Sequence, residues 1–291
     1  MSGYLQLPPG WERISTDGPG PFVTSELLRR PDGTLVRWGS RSHRRGRAAA
    51  ISARPSSASG GEPVWWRPRR RDWWMSVLFS AGALCFAVAA VASQWGTPGE
   101  WIDVTFFVGS IMFTSAAYLQ YLETVNVEHD PVPGARRQRW RPASWEPRRI
   151  DWLAALIQLI GTLFFNLSTF AAMRHGLSTH QTNRRVWAPD VFGSICFLIS
   201  SELAYAEVCH RWICLRSRSL PWRIVALNLL GSIAFGAAAI ASLLEPSTGL
   251  PVSARIANAG TALGGLCFFL AALALMPEAA REEQAGQDAP A

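Results

Sequence analysis

Six apolar runs, at residues 73–94, 102–122, 152–173, 188–208, 222–244 and 256–276, alternate with polar, arginine-rich segments. At ~1.5 Å of rise per residue, each run is long enough to cross a hydrocarbon core ~30 Å thick, so each predicts a transmembrane helix. Six is an even number, and both termini are therefore expected on one side of the membrane. The fold class read from this pattern is all-α, a polytopic integral membrane protein.

The runs are related to one another. Trp66-x-Pro68-Arg69-Arg70-x-Asp72-Trp73, followed by Gly82 and Phe86, returns 79 residues later as Trp145-x-Pro147-Arg148-Arg149-x-Asp151-Trp152, Gly161 and Phe165. A third copy keeps Trp222, Gly231 and Phe235 at the same spacings without the Arg-Arg-x-Asp. The returning helices carry the same Gly-x-x-x-Phe, as Gly109 and Phe113, Gly193 and Phe197, and Gly264 and Phe268, and each places a glutamate ten residues later, at Glu123, Glu207 and Glu278. One alignment for outgoing helices and another for returning ones predict a two-helix hairpin present three times in the same orientation. The hairpins cover 64–123, 143–209 and 220–278, with a pseudo-threefold axis along the membrane normal. In every helix the motif falls in the middle third of the bilayer. Residues four apart share a helix face, so a glycine notch beside a phenylalanine knob predicts close backbone approach with the ring filling the next gap.

Charge orients the bundle. All 28 basic residues are arginine, and the formal net charge is +7. Flanks on the side of the termini hold fifteen arginines, whereas the opposite flanks hold only Arg174, Arg184, Arg185 and Arg255. This bias places both termini in the cytoplasm. Thirteen arginines precede the first run. Residues 1–63 are read as a mostly disordered basic arm, with a short β-hairpin at 27–38 across Pro31-Asp32-Gly33 and a flexible linker from Ser40 to Pro63. Residues 279–291 are read as a cytoplasmic tail. The first apolar run is expected to act as its own uncleaved insertion signal. The partners implied are the bilayer and anionic lipid at the arm and cytoplasmic loops, with a protein partner open and nucleic acid ranked behind lipid.

The carboxylates at the cytoplasmic edge divide into two groups. Asp72 and Asp151 open helices, where a cap or a negative charge is favourable; Asp103, Asp190 and Asn258 are read as caps on the other side. Glu123, Glu207 and Glu278 end helices, where the macrodipole repels them. The nearest compensating charges are Arg69 and Arg70, Arg148 and Arg149, and Arg216 and Arg218, which would make an Arg–Glu belt between hairpins; the alternative is glutamates snorkelling to water. Gln158 and Asn228 occupy equivalent depths and Asn166 lies deeper, all suited to interhelical hydrogen bonds. Glu202 lies ~7 Å inside the edge at ~1.5 Å per residue, where an acid is either a functional group or one reaching for the surface.

Catalytic and metal chemistry find little support. His43, His129, His175, His180 and His210 all fall in loops or at helix ends, so paired haem ligands and an intramembrane Ser-His pair are excluded. There is no HExxH, P-loop or paired CxxC. Cys209-His210 with Cys214 lacks a fourth ligand. Cys85, Cys196 and Cys267 each stand three after a motif glycine and read as small fillers. No disulfide framework is expected, because no cysteine falls outside the cell. No catalytic residue, metal or cofactor follows, and a non-enzyme is the expectation.

The two complete openings, together with Phe107-Val-Gly-Ser-Ile-Met-Phe113 and Phe192-Gly-Ser-Ile-Cys-Phe197, resemble bacterial multi-pass membrane proteins built from YrhK-type hairpins, over residues 64–278. The resemblance implies the hairpin fold and a location in the bacterial plasma (inner) membrane, and carries no activity, substrate or cofactor. Two classes of function stay in view, a scaffold or interaction protein and a small-solute or ion transporter with a path near the axis. A plugged or an open axis separates them.

Overall fold

The computed structural model describes residues 7, 9–44, 49–50, 70–96, 99–126, 140–214 and 219–287. Arg69, Arg216 and Arg218, most of the linker and the last residues of the tail lie outside this set. The elements in chain order are β1 (Glu12–Asp17), β2 (Ser25–Arg29), β3 (Leu35–Gly39), α1 (Ser40–Arg44), β4 (Ala49–Ala50), α2 (Arg71–Gln94), α3 (Glu100–Val125), α4 (Ile150–Ala172), α5 (Thr179–Thr182), α6 (Ala188–Cys209), α7 (Leu220–Ala241) and α8 (Ala254–Gln287). A π turn over Asn183–Trp187 joins α5 to α6 without a break. Among the described residues, six helices are long and apolar enough to cross a membrane, with α5 and α6 counted as one. Their outward faces are apolar, as at Leu84, Val88, Leu163, Leu167, Ile195 and Ile233, so the chain is a multi-pass membrane protein.

The helices begin earlier than the apolar runs. Ser178 and Gln181 form a capping box that starts the fourth span at Thr179, and the Ser253 hydroxyl accepts from the Ile256 amide at the start of α8. Asp103, Asp190 and Asn258, expected as caps, therefore lie inside helices. Asp72 and Asp151 are likewise not caps: Arg70 and Arg149 hold the cap positions. Both aspartates sit in the first turn, where the positive end of the dipole still favours them.

The expected mostly disordered arm is replaced by a folded sheet. The hairpin at 27–38 is present as β2 and β3, but it is the centre of a four-stranded antiparallel sheet in the order β1-β2-β3-β4. Its turn is set by Gly33 at φ 84 and by the Thr34 amide donating to Asp32 Oδ1 at 2.8 Å. That bond holds the Asp32 carboxyl below its usual range. Leu28, Val36 and Trp38 point inward, and Leu7, Trp11 and Val23 pack on them. Six apolar side chains over some thirty residues make a small core, and composition alone, dominated by Gly, Pro, Ser and Arg, hid it.

In the membrane part each helix packs on its neighbours in the order α2, α3, α4, α6, α7, α8, and α8 returns to α2, closing a ring. Within each hairpin the two motif glycines face each other. A methyl group at Gly82 would stand 2.8 Å from the Gly109 carbonyl oxygen, one at Gly193 3.1 Å from that of Gly161, and one at Gly264 3.0 Å from that of Gly231. Such closeness of two backbones is possible only without Cβ atoms. The six motif phenylalanines meet on the inside as two triangles. Phe86, Phe165 and Phe235 have ring centroids 6.2, 5.9 and 6.1 Å apart, and Phe113, Phe197 and Phe268 lie 6.1, 5.9 and 5.6 Å apart. Pairs within hairpins at 5.7, 5.0 and 5.4 Å join the two layers. The result is a plug of rings across the centre of the ring of helices.

Space at the glycines gives a direct test. Gly82→Ala would press a methyl to 2.7 Å from the Phe113 ring, whereas the helical Gly236 has nothing within 4 Å. Gly82→Ala is expected to destabilise by about 1–3 kcal/mol through overpacking, and Gly236→Ala to be neutral or stabilising by up to about 1 kcal/mol through helix propensity. Thermal unfolding of both variants in the same detergent checks the contrast.

Candidate functional site

Between the phenylalanine plug and the N-terminal sheet lies a polar cavity of about 80 Å³, enough for a few water molecules. Gln120, Gln158 and Asn228 line its deeper part, Ser200 and Ser201 one wall, and Glu123, Asp151 and Glu207 its mouth. Gln158 Oε1 accepts from Ser200 Oγ at 3.3 Å and from Gln120 Nε2 at 3.4 Å. Two equivalent polar positions recognised in the sequence, Gln158 and Asn228, thus come together. Asn166 does not join them. It donates to Thr114 Oγ1 at 2.8 Å across the α3–α4 interface.

The mouth is closed by α1. Arg41 reaches Glu278 through two bonds, Nε to Oε1 at 3.1 Å and Nη2 to Oε2 at 2.9 Å. Arg44 Nη1 lies 3.3 Å from Glu207 Oε1 and 3.5 Å from Asp151 Oδ2, and Ser40 Oγ donates to Glu207 Oε1 at 2.6 Å. Glu207 and Glu278 are buried, at 3% and 2% exposure. Glu207 stands in the last turn of α6, where the macrodipole makes a cation beside a buried carboxylate favourable. Glu278, expected to end its helix, lies instead inside α8, which runs on to Gln287 through residues read as a tail. Of the arginines expected in a belt from the opening motif, Arg69, Arg216 and Arg218 lie outside the described residues, and Arg70, Arg148 and Arg149 lie within them. Arg149 is buried and holds Asp151 Oδ2 in the first turn of α4 and Glu146 Oε2 in the preceding turn at 2.6 Å each, while its Nη1 donates to the Thr124 carbonyl at the end of α3 at 2.9 Å. It joins hairpin to hairpin through that backbone carbonyl. Arg70 pairs locally with Asp72 at 3.1 Å, and Arg148 is exposed. Among the described residues, Arg44 meets Glu207 and Arg41 meets Glu278, both from the N-terminal segment and at separations that sequence spacing alone could not reach.

Glu202 lies apart from the cavity. It is half-buried on the stripe of α6 that carries Phe192, Ile195, Leu198 and Ile199 outward, and it has no hydrogen bond or ion pair among the described residues. Of the alternatives weighed for it, a side chain reaching for the membrane surface fits this position.

A second contact holds the sheet to the bundle. Cys209 and Cys214 are joined by a disulfide, contrary to the expectation of none. His210 at φ 57 turns the chain back at the end of α6 and brings the two sulfurs together. The Tyr205 hydroxyl donates to the Cys214 carbonyl. The loop so formed lays the Trp212 ring against Gly20 and sets His210 Nδ1 2.7 Å from Thr24 Oγ1. Phe22 packs beside Ile150, Ala154, Leu203 and Ala206. Burial pulls the His210 pKa below the ordinary imidazole value of 6.5, against the pull of Asp17 and Glu207 and with that of Arg37.

Two outcomes follow for the docked sheet. Arg44→Ala leaves Glu207 without its guanidinium, and breaking a buried pair of this kind costs about 3–5 kcal/mol; amide hydrogen exchange in β2 and β3 should accelerate while the helices stay protected. For His210 the undocked state binds its proton more tightly. Docking is then complete above pH 6.5 and weakens as the pH falls through that value. Exchange protection of the sheet measured from pH 8 to 5 should fall on the acid side, and His210→Gln should flatten the dependence.

Comparison with known proteins found no matching family model, no matching curated protein and no matching solved structure, so the site is interpreted from its own geometry.

Proposed function

We propose that the chain is a non-enzymatic scaffold or interaction protein of the bacterial plasma membrane. Three YrhK-type hairpins stand in the same orientation about a pseudo-threefold axis, with both termini in the cytoplasm and the N-terminal sheet as a cytoplasmic cap. The observation that carries this reading is the six-ring plug, which leaves no path along the axis for a solute. Support for the threefold repeat comes from matching side-chain contacts as well as from the motif. Tyr121 with Trp152 and Tyr205 with Trp222 both lie at 6.4 Å, and each tyrosine hydroxyl donates to the carbonyl eight residues before its tryptophan, at Ser144 and Cys214. The arginine bias of fifteen against four supports the orientation. Anionic lipid is the partner. Within the N-terminal sheet Arg13 and Arg29 pair with Glu26 and Glu12, so lipid contact falls to exposed flank residues such as Arg71, Arg141, Arg148, Arg211 and Arg223.

The polar cavity favours a second reading, a small-solute or ion transporter whose path near the axis is closed in this conformation. Flux separates the two. Proteoliposomes containing the protein should be no more permeable to potassium and glycerol than empty liposomes, and a protein-dependent flux would replace the scaffold by the transporter. Orientation is checked independently by reporter fusions after Leu122, Arg185 and Arg218, which should read inside, outside and inside.

A further inference from the structure

Arg41 and Arg44 sit in the cavity mouth as a ligand would. Both guanidiniums arrive from a separately folded segment, and both end on carboxylates that belong to the helices. The Arg41–Glu278 contact is two-pronged, at 3.1 and 2.9 Å, the planar pairing that a guanidinium makes and an ammonium does not. Behind them the cavity offers the amides of Gln120, Gln158 and Asn228, and its side walls include Met75, Phe79 and Leu275. Asn228 has no side-chain hydrogen bond among the described residues, so it is available to a group entering the cavity. A carboxylate mouth rejects anions. Apolar walls beside the charged mouth favour a cation with a short aliphatic stem over a bare inorganic ion.

From this we infer that the cavity is a binding site for a small organic cation of the guanidinium class, and that Arg41 and Arg44 act as a tethered ligand holding it shut. Free cation and N-terminal sheet then compete for Glu207 and Glu278. Ligand binding releases the sheet, and docking of the sheet excludes the ligand. Release would uncover α1 and the loop around Trp212 as a surface for a partner, which links the site to the interaction role proposed above. The site itself does not depend on whether the axis conducts, so a failure of the flux result and a failure of this one are distinguishable.

Agmatine is the probe, titrated by calorimetry into the full chain in detergent. Wild type should bind weakly, because its own arginines occupy the mouth. R41A/R44A should bind at least tenfold more tightly, and adding E207Q/E278Q to that variant should remove at least tenfold again. In wild type, agmatine should also accelerate hydrogen exchange in β2 and β3. Should R41A/R44A fail to fold, R41Q/R44Q keeps the stems and removes the charge, with the same order of affinities expected. Equal affinity in wild type and the arginine variants overturns the inference. So does tight binding that ignores E207Q/E278Q, or an acceleration of exchange that sodium chloride at matched ionic strength reproduces.

Discussion

Close approach of two backbones inside each hairpin is the constraint on which the membrane part depends. Gly82 faces Gly109, Gly161 faces Gly193 and Gly231 faces Gly264, and at each crossing a single methyl group would meet a carbonyl oxygen within 3.1 Å. With the helices this near, the side chains four residues on have no room beside the crossing and turn inward. Six phenylalanines then converge from six helices and fill the centre with edge and face contacts worth ~0.5–1.5 kcal/mol per pair beyond their buried area. The small residues at Cys85, Cys196 and Cys267 belong to the same arrangement: the Cβ of each lies against the glycine of the opposing helix, at Gly109, Gly161 and Gly231.

That arrangement creates a charge problem at one end of the bundle. Two returning helices, α3 and α6, carry glutamates in their last turns beside their own carbonyl ends, at Glu123 and Glu207, and Glu207, like Glu278 inside α8, is almost wholly buried. A helix C-terminus calls for a cation there. Arg149 is turned elsewhere, with hydrogen bonds to Asp151, Glu146 and the Thr124 carbonyl. The N-terminal sheet supplies the missing charge through one short helix in which Arg41 and Arg44 stand three apart and so share a face.

The membrane spans, the hairpin units and the glycine–phenylalanine motif were legible in the sequence because lipid and backbone geometry act locally: a run of apolar residues, a spacing of four and a repeat can all be counted. Gln158 and Asn228 were legible as equivalent positions for the same reason. The cap was not. Arg41 lies 237 residues from Glu278 and Arg44 lies 163 from Glu207, and no local pattern links them. Leu28, Val36 and Trp38 are too few to stand out in a stretch rich in Gly, Pro and Ser. The sequence did carry one signal, the glutamates read as helix ends where the dipole opposes them; Glu123 and Glu207 do stand there, while Glu278 lies inside α8, and the arginines nearest in the chain were the only partners considered. Glu202, which drew attention because it breaks the repeat, turned out to face outward, since a residue's depth says nothing of its azimuth.

The energetics of the cap also follow from where its charges lie. Taking Arg41, Arg44, Glu207 and Glu278 out of water costs nearly as much as their attraction returns, so buried pairs of this kind fix position more than they add stability. Net affinity of the sheet for the bundle then rests on a short list of apolar contacts, chiefly Phe22 against the ends of α4 and α6 and Trp212 against Gly20. These contacts are few. A docked state held by accurate but nearly balanced charges and by little apolar area is one whose population shifts with a small differential binding energy. The arginines define where the sheet docks, and the small apolar patch keeps that docking reversible.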